Sequence, residues 1–194
     1  MQLRDSRDVI VRAGMARDAD RLAVLAQATF PLACPPGTLK ADIEAHVARH
    51  LTAETFQAAA ASAQARIFVA ENTEGDLVGY TLIYLDEPTD PAVIEAITAR
   101  PTSELSKCYV LPSCHGTPVA RLLVQASIEE AARCGAAGMW LGVNGRNTRA
   151  QAFYRKMGFE PVGTRRFVVG GEVHADLVLE RNYLGKLAKS GETK

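Results

Sequence analysis

The chain has 194 residues and a mass of 20.9 kDa, which is enough for one domain with a sizeable core. Hydrophobic residues make up 47% of it and charged residues 23%, as in an ordinary soluble globular protein. Basic and acidic residues number 22 each, so the sequence argues against the broad basic surface that nucleic-acid binding requires. Because no apolar stretch is long enough for a membrane span or a signal peptide, we expect a cytoplasmic protein with no membrane partner.

In the first half of the chain, the patterns predict a strand, three helical segments and a hairpin. An amphipathic helix follows the first strand and has Asp18 or Asp20 as its candidate N-cap. The proline-rich stretch 31–37 ends this helix, and Thr52 is the candidate cap of the third helical segment. The remaining predicted elements of this half are helices over 38–50 and 52–63, and strands over 8–13, 66–70 and 77–85.

The second half of the chain alternates strands and helices. Trp140 falls in a predicted central strand, which favours core packing over substrate stacking. No repeat or linker divides the order of elements, so we predict a single α/β domain with a mixed sheet. The predicted elements are a short helix over 91–100, a strand over 104–111, a helix over 118–134, a strand over 139–143, a helix ending at Gly158, and strands over 159–169 and 173–180 joined at Gly170 and Gly171.

The four cysteines do not indicate a metal site or a redox pair. Cys34, Cys108, Cys114 and Cys134 form no C-x-x-C pair and have no metal-ligand spacing with the four histidines. We therefore expect reduced, mostly structural thiols and no bound metal. The sequence leaves a monomer and a homodimer both open.

Residues 112–121 (PSCHGTPVAR) join a predicted strand to a predicted helix. The first N–H groups of a helix lack internal partners and, together with the helix dipole, favour an anion such as phosphate. Gly116 permits close backbone approach, Thr117 can serve as N-cap or hydroxyl donor, and Pro118 suits the first helical position. Arg121 lies one turn further on, in reach of a phosphate oxygen. Many turns have similar chemistry simply because they start a helix.

Residues 139–160 combine a strand, a polar loop, a short helix and a glycine stop. The loop contains Asn147, and the helix pattern contains Tyr154 before it ends at Gly158. Open α/β sheets bind ligands at the carboxyl ends of their strands. At such an end, a tyrosine can give a proton to a leaving group and an asparagine can hold an amide-rich ligand.

Together these two segments resemble the acetyl-coenzyme A (acetyl-CoA) site of the GCN5-related N-acetyltransferase (GNAT) superfamily. The superfamily's first run, Arg/Gln-x-x-Gly-x-Gly/Ala, is degenerate here, with His115 in the first position, Pro118 in place of the first glycine and only Ala120 conforming. Its second run, Asn-x-x-Ala-x-x-Phe-Tyr-x-x-x-Gly-Phe, is complete at Asn147, Ala150, Phe153, Tyr154, Gly158 and Phe159.

The resemblance covers roughly residues 9–181 and leaves 1–8 and 184–194 as terminal extensions. It implies a single-domain α/β fold with a mixed, mostly antiparallel sheet, a central parallel strand pair that splays apart, and flanking helices. Within the superfamily, the WLGV run at 140–143 and the FYRKMGF run at 153–159 are similar to bacterial polyamine N-acetyltransferases of the spermidine type.

The mechanism that this resemblance implies is direct attack of an amine on the thioester of acetyl-CoA, which acts as cosubstrate. Tyr154 is the candidate general acid, with packing beneath the cofactor or in the core as the alternative. Glu104 is the candidate base, with a solvated strand-end carboxylate as the alternative, and His115 and His174 are further candidates. The implied cofactor-binding residues are Tyr109, Val110, Leu111, His115, Gly116, Thr117, Pro118, Val119, Ala120, Arg121, Asn147, Ala150 and Phe153.

Three hypotheses follow for the function. The first is an N-acetyltransferase (EC 2.3.1.-) that acts on a primary amine of a small molecule, with polyamines as one candidate class. The second is an acyl-CoA-binding or regulatory domain with weak turnover, because His115 and Pro118 make the phosphate loop irregular. The third is an acetyltransferase of a protein amine or an aminoglycoside. Six acids in the half that would cover the acceptor either pair with a polyamine or simply face water: Asp42, Glu44, Glu54, Asp86, Glu87 and Asp90.

Overall fold

The computed structural model describes residues 9–34, 37–169 and 172–183 and has the predicted mixed α/β architecture. The predicted extensions 1–8 and 184–194 and the Gly170–Gly171 turn lie outside these residues. The strands are β1 (Ile10–Ala13), β2 (Ala65–Glu71), β3 (Leu77–Tyr84), β4 (Thr102–Val110), β5 (Gly138–Asn144), β6 (Glu160–Val169) and β7 (Glu172–Asn182). The helices are α1 (Ala19–Thr29), α2 (Lys40–His50), α3 (Ala53–Ala61), α4 (Pro91–Ala96), α5 (Val119–Arg133) and α6 (Thr148–Lys156).

The described strands form one sheet in the order β1-β2-β3-β4-β5-β7-β6. Strands β4 and β5 run parallel, and the other neighbouring pairs run antiparallel. Helix α5 connects β4 to β5, so this unit is a parallel crossover. The mixed sheet with one central parallel pair is therefore confirmed.

The parallel pair separates after a short contact. Only Thr102, Ser103 and Glu104 of β4 pair with β5, although both strands continue well beyond that point. Ser106 is an extra residue opposite β3, since Leu105 pairs with Ile83 and the next paired residue pairs with Leu82. Such a bulge bends a strand. The sheet therefore opens into a gap on the carboxyl side of Glu104.

Hydrophobic packing covers both faces of the sheet. On one face, residues of α1 and α3 pack with Tyr80 and Leu82 of β3. On the other face, residues of α5 and α6 pack with Leu141 of β5. Trp140, next along β5, points the opposite way and packs against α4 at 3% exposure, so its predicted core position is confirmed.

The helix starts confirm one predicted cap and correct another. The Thr52 hydroxyl accepts a hydrogen bond from the Thr55 N–H at 3.3 Å, as predicted. Asp18 occupies the N-cap position of α1, but its side chain does not cap that helix. Its carboxylate instead accepts hydrogen bonds from the guanidinium of Arg12 at 2.7 and 2.9 Å and from the Met15 N–H at 2.9 Å. A buried carboxylate gains more from a guanidinium than from backbone N–H groups alone.

Helix α4 is shorter than predicted. It ends at Ala96, because the chain turns extended at Ile97 and the buried carboxylate of Glu180 then accepts hydrogen bonds from the N–H groups of Thr98 and Ala99, each at 2.8 Å. Those N–H groups would otherwise continue the helix. Strand β4 accordingly starts at Thr102, two residues before the predicted start at Glu104.

Candidate active site

A cavity of about 570 Å³ lies where β4 and β5 separate. One wall comes from α6 and the loop before it, and includes Asn147 and Tyr154. The other wall comes from the α2 side, and includes His46 and His50. The cavity therefore connects the two faces of the sheet through the gap between the parallel strands.

Both predicted catalytic residues, Tyr154 and Glu104, line this cavity. Glu104 pairs with Tyr84 of β3, which packs with the core of α1 and α3, so Glu104 faces that side of the sheet. Tyr154 packs with Cys108 in the core of α5 and α6. The two groups therefore approach the gap from opposite faces of β4, one from each side of any ligand that threads it.

The surroundings of Tyr154 favour the protonated form of its phenol. Its ring packs near those of Phe153 and Phe159, at centroid distances of 5.2 and 5.9 Å. Burial raises the pKa of the Tyr154 phenol well above its ordinary value, and neighbouring Cys108 and Tyr109 add to the rise. Burial also raises the pKa of the Cys108 thiol to about 12. The Tyr154 phenol and the Cys108 thiol are therefore both neutral. A phenol can give a proton to a leaving thiolate only while it is protonated.

Glu104 and Lys107 form an ionisable pair in the cavity. Burial raises the pKa of the Glu104 carboxyl above its ordinary value, with Arg165 and Lys107 acting against the rise. Burial lowers the pKa of the Lys107 ammonium, with Glu104 acting against that shift. A carboxylate with a raised pKa is a stronger base than a solvated one.

Beyond Glu104, the edge of β4 that faces the gap has no paired strand within the described chain. Such an edge presents backbone N–H and C=O groups to whatever enters the gap. Of the three residues predicted to pair with a pantetheine arm, Tyr109 lines the cavity and Val110 and Leu111 follow it toward the phosphate loop. The N–H of Leu111 is already bonded to the carbonyl of Val78, at 2.8 Å.

The predicted phosphate loop lies beside α6 rather than in the cavity wall. Gly116 has a φ of +82°, a left-handed conformation that favours glycine. Helix α5 begins at Val119, one residue later than predicted, with Pro118 as its N-cap and no side-chain cap bond from that residue. The Thr117 hydroxyl donates to the Cys114 carbonyl at 2.7 Å. Proline has no backbone N–H, but an N–H at the N-cap position has no partner within the helix, so no helical hydrogen bond is lost at Pro118.

One side-chain contact joins the two predicted motifs. His115 Nδ1 and Arg149 Nη1 lie 3.1 Å apart, between the phosphate loop and α6. Both residues are exposed, as is Arg121 on the first turn of α5. Three groups suited to phosphate oxygens thus lie on neighbouring elements. The contact between Arg149 and His115 is not visible in the local sequence pattern, because the two residues are 34 positions apart.

The loop after β5 is held by two polar side chains. Asn147 Oδ1 accepts a hydrogen bond from the Ala150 N–H at 3.0 Å, which caps α6, and the same residue lines the cavity. Gln151, which sequence reasoning missed, is 8% exposed and donates to the carbonyls of Asn144 and Gly145 at 3.2 and 2.9 Å. Of the other predicted α6 residues, Ala150 lines the cavity and Phe153 packs in the core beside Tyr154.

The acceptor side of the cavity bears on the two alternatives for the six acids, which are pairing with a polyamine and facing water. None of the six acids predicted to cover the acceptor is among the cavity-lining residues. Instead His46 lines it, stacked on Phe30 at a centroid distance of 4.4 Å. The side chain of His174, a candidate base, lies outside the described structure. In the described ranges, no three His, Cys, Asp or Glu side chains cluster closely enough to hold a metal ion, and no helix is long and apolar enough to cross a membrane.

Comparison with known proteins identifies the family. The model of the acetyltransferase (GNAT) family matches residues 30–159. A curated relative, an uncharacterized N-acetyltransferase of Mycobacterium tuberculosis, is 38% identical over 164 residues, covering 84% of this chain and 97% of the relative.

Solved structures have the same fold. A PaiA N-acetyltransferase from Thermoplasma acidophilum, in complex with coenzyme A, has a TM-score of 0.72 at 16% identity, covering 91% of this chain and 99% of that one. A putative acetyltransferase of Salmonella typhimurium with its cofactor acetyl-CoA has a TM-score of 0.62 at 19% identity, covering 91% and 94%. The chain therefore belongs to the GNAT acetyltransferase family, and it is an N-acetyltransferase (EC 2.3.1.-).

Proposed function

We propose that the protein transfers the acetyl group of acetyl-CoA directly to a primary amine of a small molecule. The observation that carries this proposal is the cavity through the β4–β5 gap, which has Tyr154 on one face and Glu104 on the other. A volume of about 570 Å³ is in the range of small-molecule sites. The acceptor amine enters from the α2 side and the thioester from the α6 side.

Three features of the site support acetyl-CoA binding in this orientation. The unpaired edge of β4 offers backbone groups to the amides of the pantetheine arm, as an added strand would. Asn147 adds a side-chain amide on the opposite wall. The start of α5, together with His115 and Arg149, offers N–H groups and positive charge to the pyrophosphate. The exposed loop holds the charged end of the cofactor, while the gap takes its uncharged arm.

In the proposed reaction, the acceptor enters as an ammonium and the Glu104 carboxylate takes one proton, which frees the nitrogen lone pair. The nitrogen attacks the thioester carbonyl carbon and the C–N bond forms. When the C–S bond breaks, the electron pair leaves with sulfur, which takes the Tyr154 phenol proton. The second nitrogen proton, released as the amide forms, returns to the phenol through solvent. The products are the N-acetylated amine, coenzyme A thiol and the proton first taken by Glu104.

A Tyr154→Phe variant tests this assignment. It removes one oxygen and keeps the ring that packs near Phe153 and Phe159. We expect kcat to fall about a hundredfold or more, since general acid catalysis contributes on that order, while the dissociation constant for acetyl-CoA changes little. Release of free thiol with an amine acceptor measures kcat, and calorimetry measures cofactor binding.

Tyr183→Phe is the matched control. It removes the same oxygen from a half-buried tyrosine that packs in the same core but does not line the cavity. We expect this variant to keep its activity. Full turnover by Tyr154→Phe would remove the general-acid assignment. Binding of acetyl-CoA with no turnover of any amine would instead favour a binding or regulatory role.

A further inference from the structure

The acceptor side of the cavity presents one carboxylate and one ammonium from the same strand. Glu104 pairs with Tyr84 and Lys107 pairs with Leu82, so the two side chains share a face of β4. Because Ser106 is an extra residue in β4, Glu104 and Lys107 lie opposite β3 residues that are two positions apart. The two β4 residues are therefore separated by about 7 Å along the strand. Both line the cavity on the side that packs toward α1 and α3.

Lys107 interacts with Glu104, but among the described residues it makes no direct bond to that carboxylate or to any other charged group. It is half-buried, and within the described part of the chain no side chain or carbonyl makes a hydrogen bond or ion pair with it. The charge of Glu104, the proposed base, acts on Lys107 without a direct bond. A partly buried ammonium without a bonded partner is costly, and an anion from a ligand would relieve that cost.

The other cation of the cavity is differently placed. Arg165 Nε lies 4.0 Å from Asp176 Oδ2, and its guanidinium lies over the Trp140 ring, 5.2 Å from the centroid. A Cβ at Gly142 would collide with that guanidinium, so glycine leaves room for the arginine on the face of β5. Arg165 therefore has an acidic neighbour and a ring contact, and among the described residues that line the cavity Lys107 is the Lys or Arg cation left for a ligand.

A polyamine does not match this arrangement. With one amine at Glu104, its second ammonium would lie near Lys107 and Arg165 in a partly desolvated space, where like charges repel. None of the six acids that could hold such a chain is in the cavity wall, and Asp176, which does line the cavity, has Arg165 Nε 4.0 Å from its Oδ2. An amine that also carries a carboxylate satisfies both Glu104 and Lys107.

We infer that the acceptor is an amino acid or a similarly built amine, with the ammonium to be acetylated at Glu104 and a carboxylate at Lys107. This inference rests on the proposed function and names the acceptor class of the same site. Lys107 acts as a specificity residue, because it contacts a part of the acceptor that does not react. A change at Lys107 should therefore alter the ratio of kcat/KM between acceptors that carry the carboxylate and acceptors that lack it.

The experiment compares amino acids with their own carboxamides, which keep the amine and nearly the same shape but lose the negative charge. Thiol release with acetyl-CoA gives kcat/KM for each, counted per free amine, and mass spectrometry identifies the product. We expect the wild-type protein to prefer the acid over the amide roughly tenfold or more, as for a hydrogen bond to a charged group. In Lys107→Met that ratio should approach one, and in Lys107→Arg part of it should return.

Lys156→Met is the control, since Lys156 is exposed at the end of α6 and does not line the cavity. It should keep the wild-type ratio. Lys107→Gln, which keeps more of the side chain's polarity, replaces Lys107→Met if the latter does not fold by circular dichroism. Equal rates for acid and amide, or a higher kcat/KM for a polyamine, overturn the inference and leave the proposed function standing. No thiol release with any amine overturns both.

Discussion

At the scale of single residues, Glu104 makes a testable prediction about pH. Burial raises the pKa of its carboxyl, and a base works only when it is deprotonated. The kcat/KM of the wild-type protein should therefore fall as the pH falls through that raised pKa. Glu104→Gln should lower kcat/KM roughly 100-fold at neutral pH. The remaining rate should rise with pH, because the acceptor must then lose its proton to solvent.

The measurement is a pH–rate profile of both proteins with one acceptor. Glu160→Gln makes the same chemical change at the exposed start of β6 and should leave the profile unaltered. A Glu104→Gln profile that coincides with that of the wild type would show that Glu104 is not the base and that another group takes the proton.

The sequence predicted Tyr154 and Glu104 as site residues, and both lie at the cavity. It did not indicate Lys107 or Cys108. Strand alternation alone would place residues 104, 106 and 108 on one face, but the bulge at Ser106 shifts the alternation so that Glu104 and Lys107 share a face. A bulge depends on the pairing with a neighbouring strand, and single-sequence periodicity does not contain that pairing.

At the scale of elements, α6 has a cap that also forms part of the site. The Asn147 side chain accepts a hydrogen bond from the Ala150 N–H and also lines the cavity. Asn147→Ala should reduce the free energy of unfolding by about 1 kcal/mol through loss of the cap, and should raise KM for acetyl-CoA as α6 frays. Urea denaturation and steady-state kinetics measure the two effects.

Asn147→Asp separates the cap from the ligand contact, because a carboxylate caps a helix as well as an amide does but cannot donate a hydrogen bond. It should recover the stability. If KM for acetyl-CoA stays high in this variant, the amide itself binds the cofactor; if KM also recovers, Asn147 acts only as a cap.

Element order was easier to predict than element ends. The long periodic helix that became α5 and the two strands around it were predicted within two residues. The end of α4 was not, because Glu180 terminates that helix from β7, more than 80 residues away along the chain. Likewise, Asp18 fits an N-cap in sequence, but Arg12 from β1 binds its side chain in the fold. In both cases a charged group on another element takes precedence over the local pattern.

At the scale of the whole molecule, a charge network ties β1, β2 and α1 together. The Arg12 guanidinium binds the carboxylate of Asp18 and also that of Glu71, with its Nη2 2.6 Å from Glu71 Oε2. The Asp18 side chain is 1% exposed, whereas Arg12 remains about a quarter exposed. Removal of one charge of a buried pair leaves the other without compensation. This network closes the edge of the sheet farthest from the cavity.

Asp18→Asn should therefore lower the free energy of unfolding by about 2–4 kcal/mol at pH 7. The hydrogen bond from Arg12 lowers the pKa of the Asp18 carboxyl to about 2 in the folded state, below its value of about 4 in the unfolded chain. Its contribution is thus complete above the unfolded pKa and is lost as the pH falls toward 2. Urea denaturation at pH 7 and near pH 3 should show the wild-type advantage shrinking in acid. Asp20→Asn, at the exposed neighbouring position in α1, should change stability little at either pH. An Asp18→Asn deficit of the same size at both pH values would show that the packing of the side chain, rather than its charge, stabilises this edge.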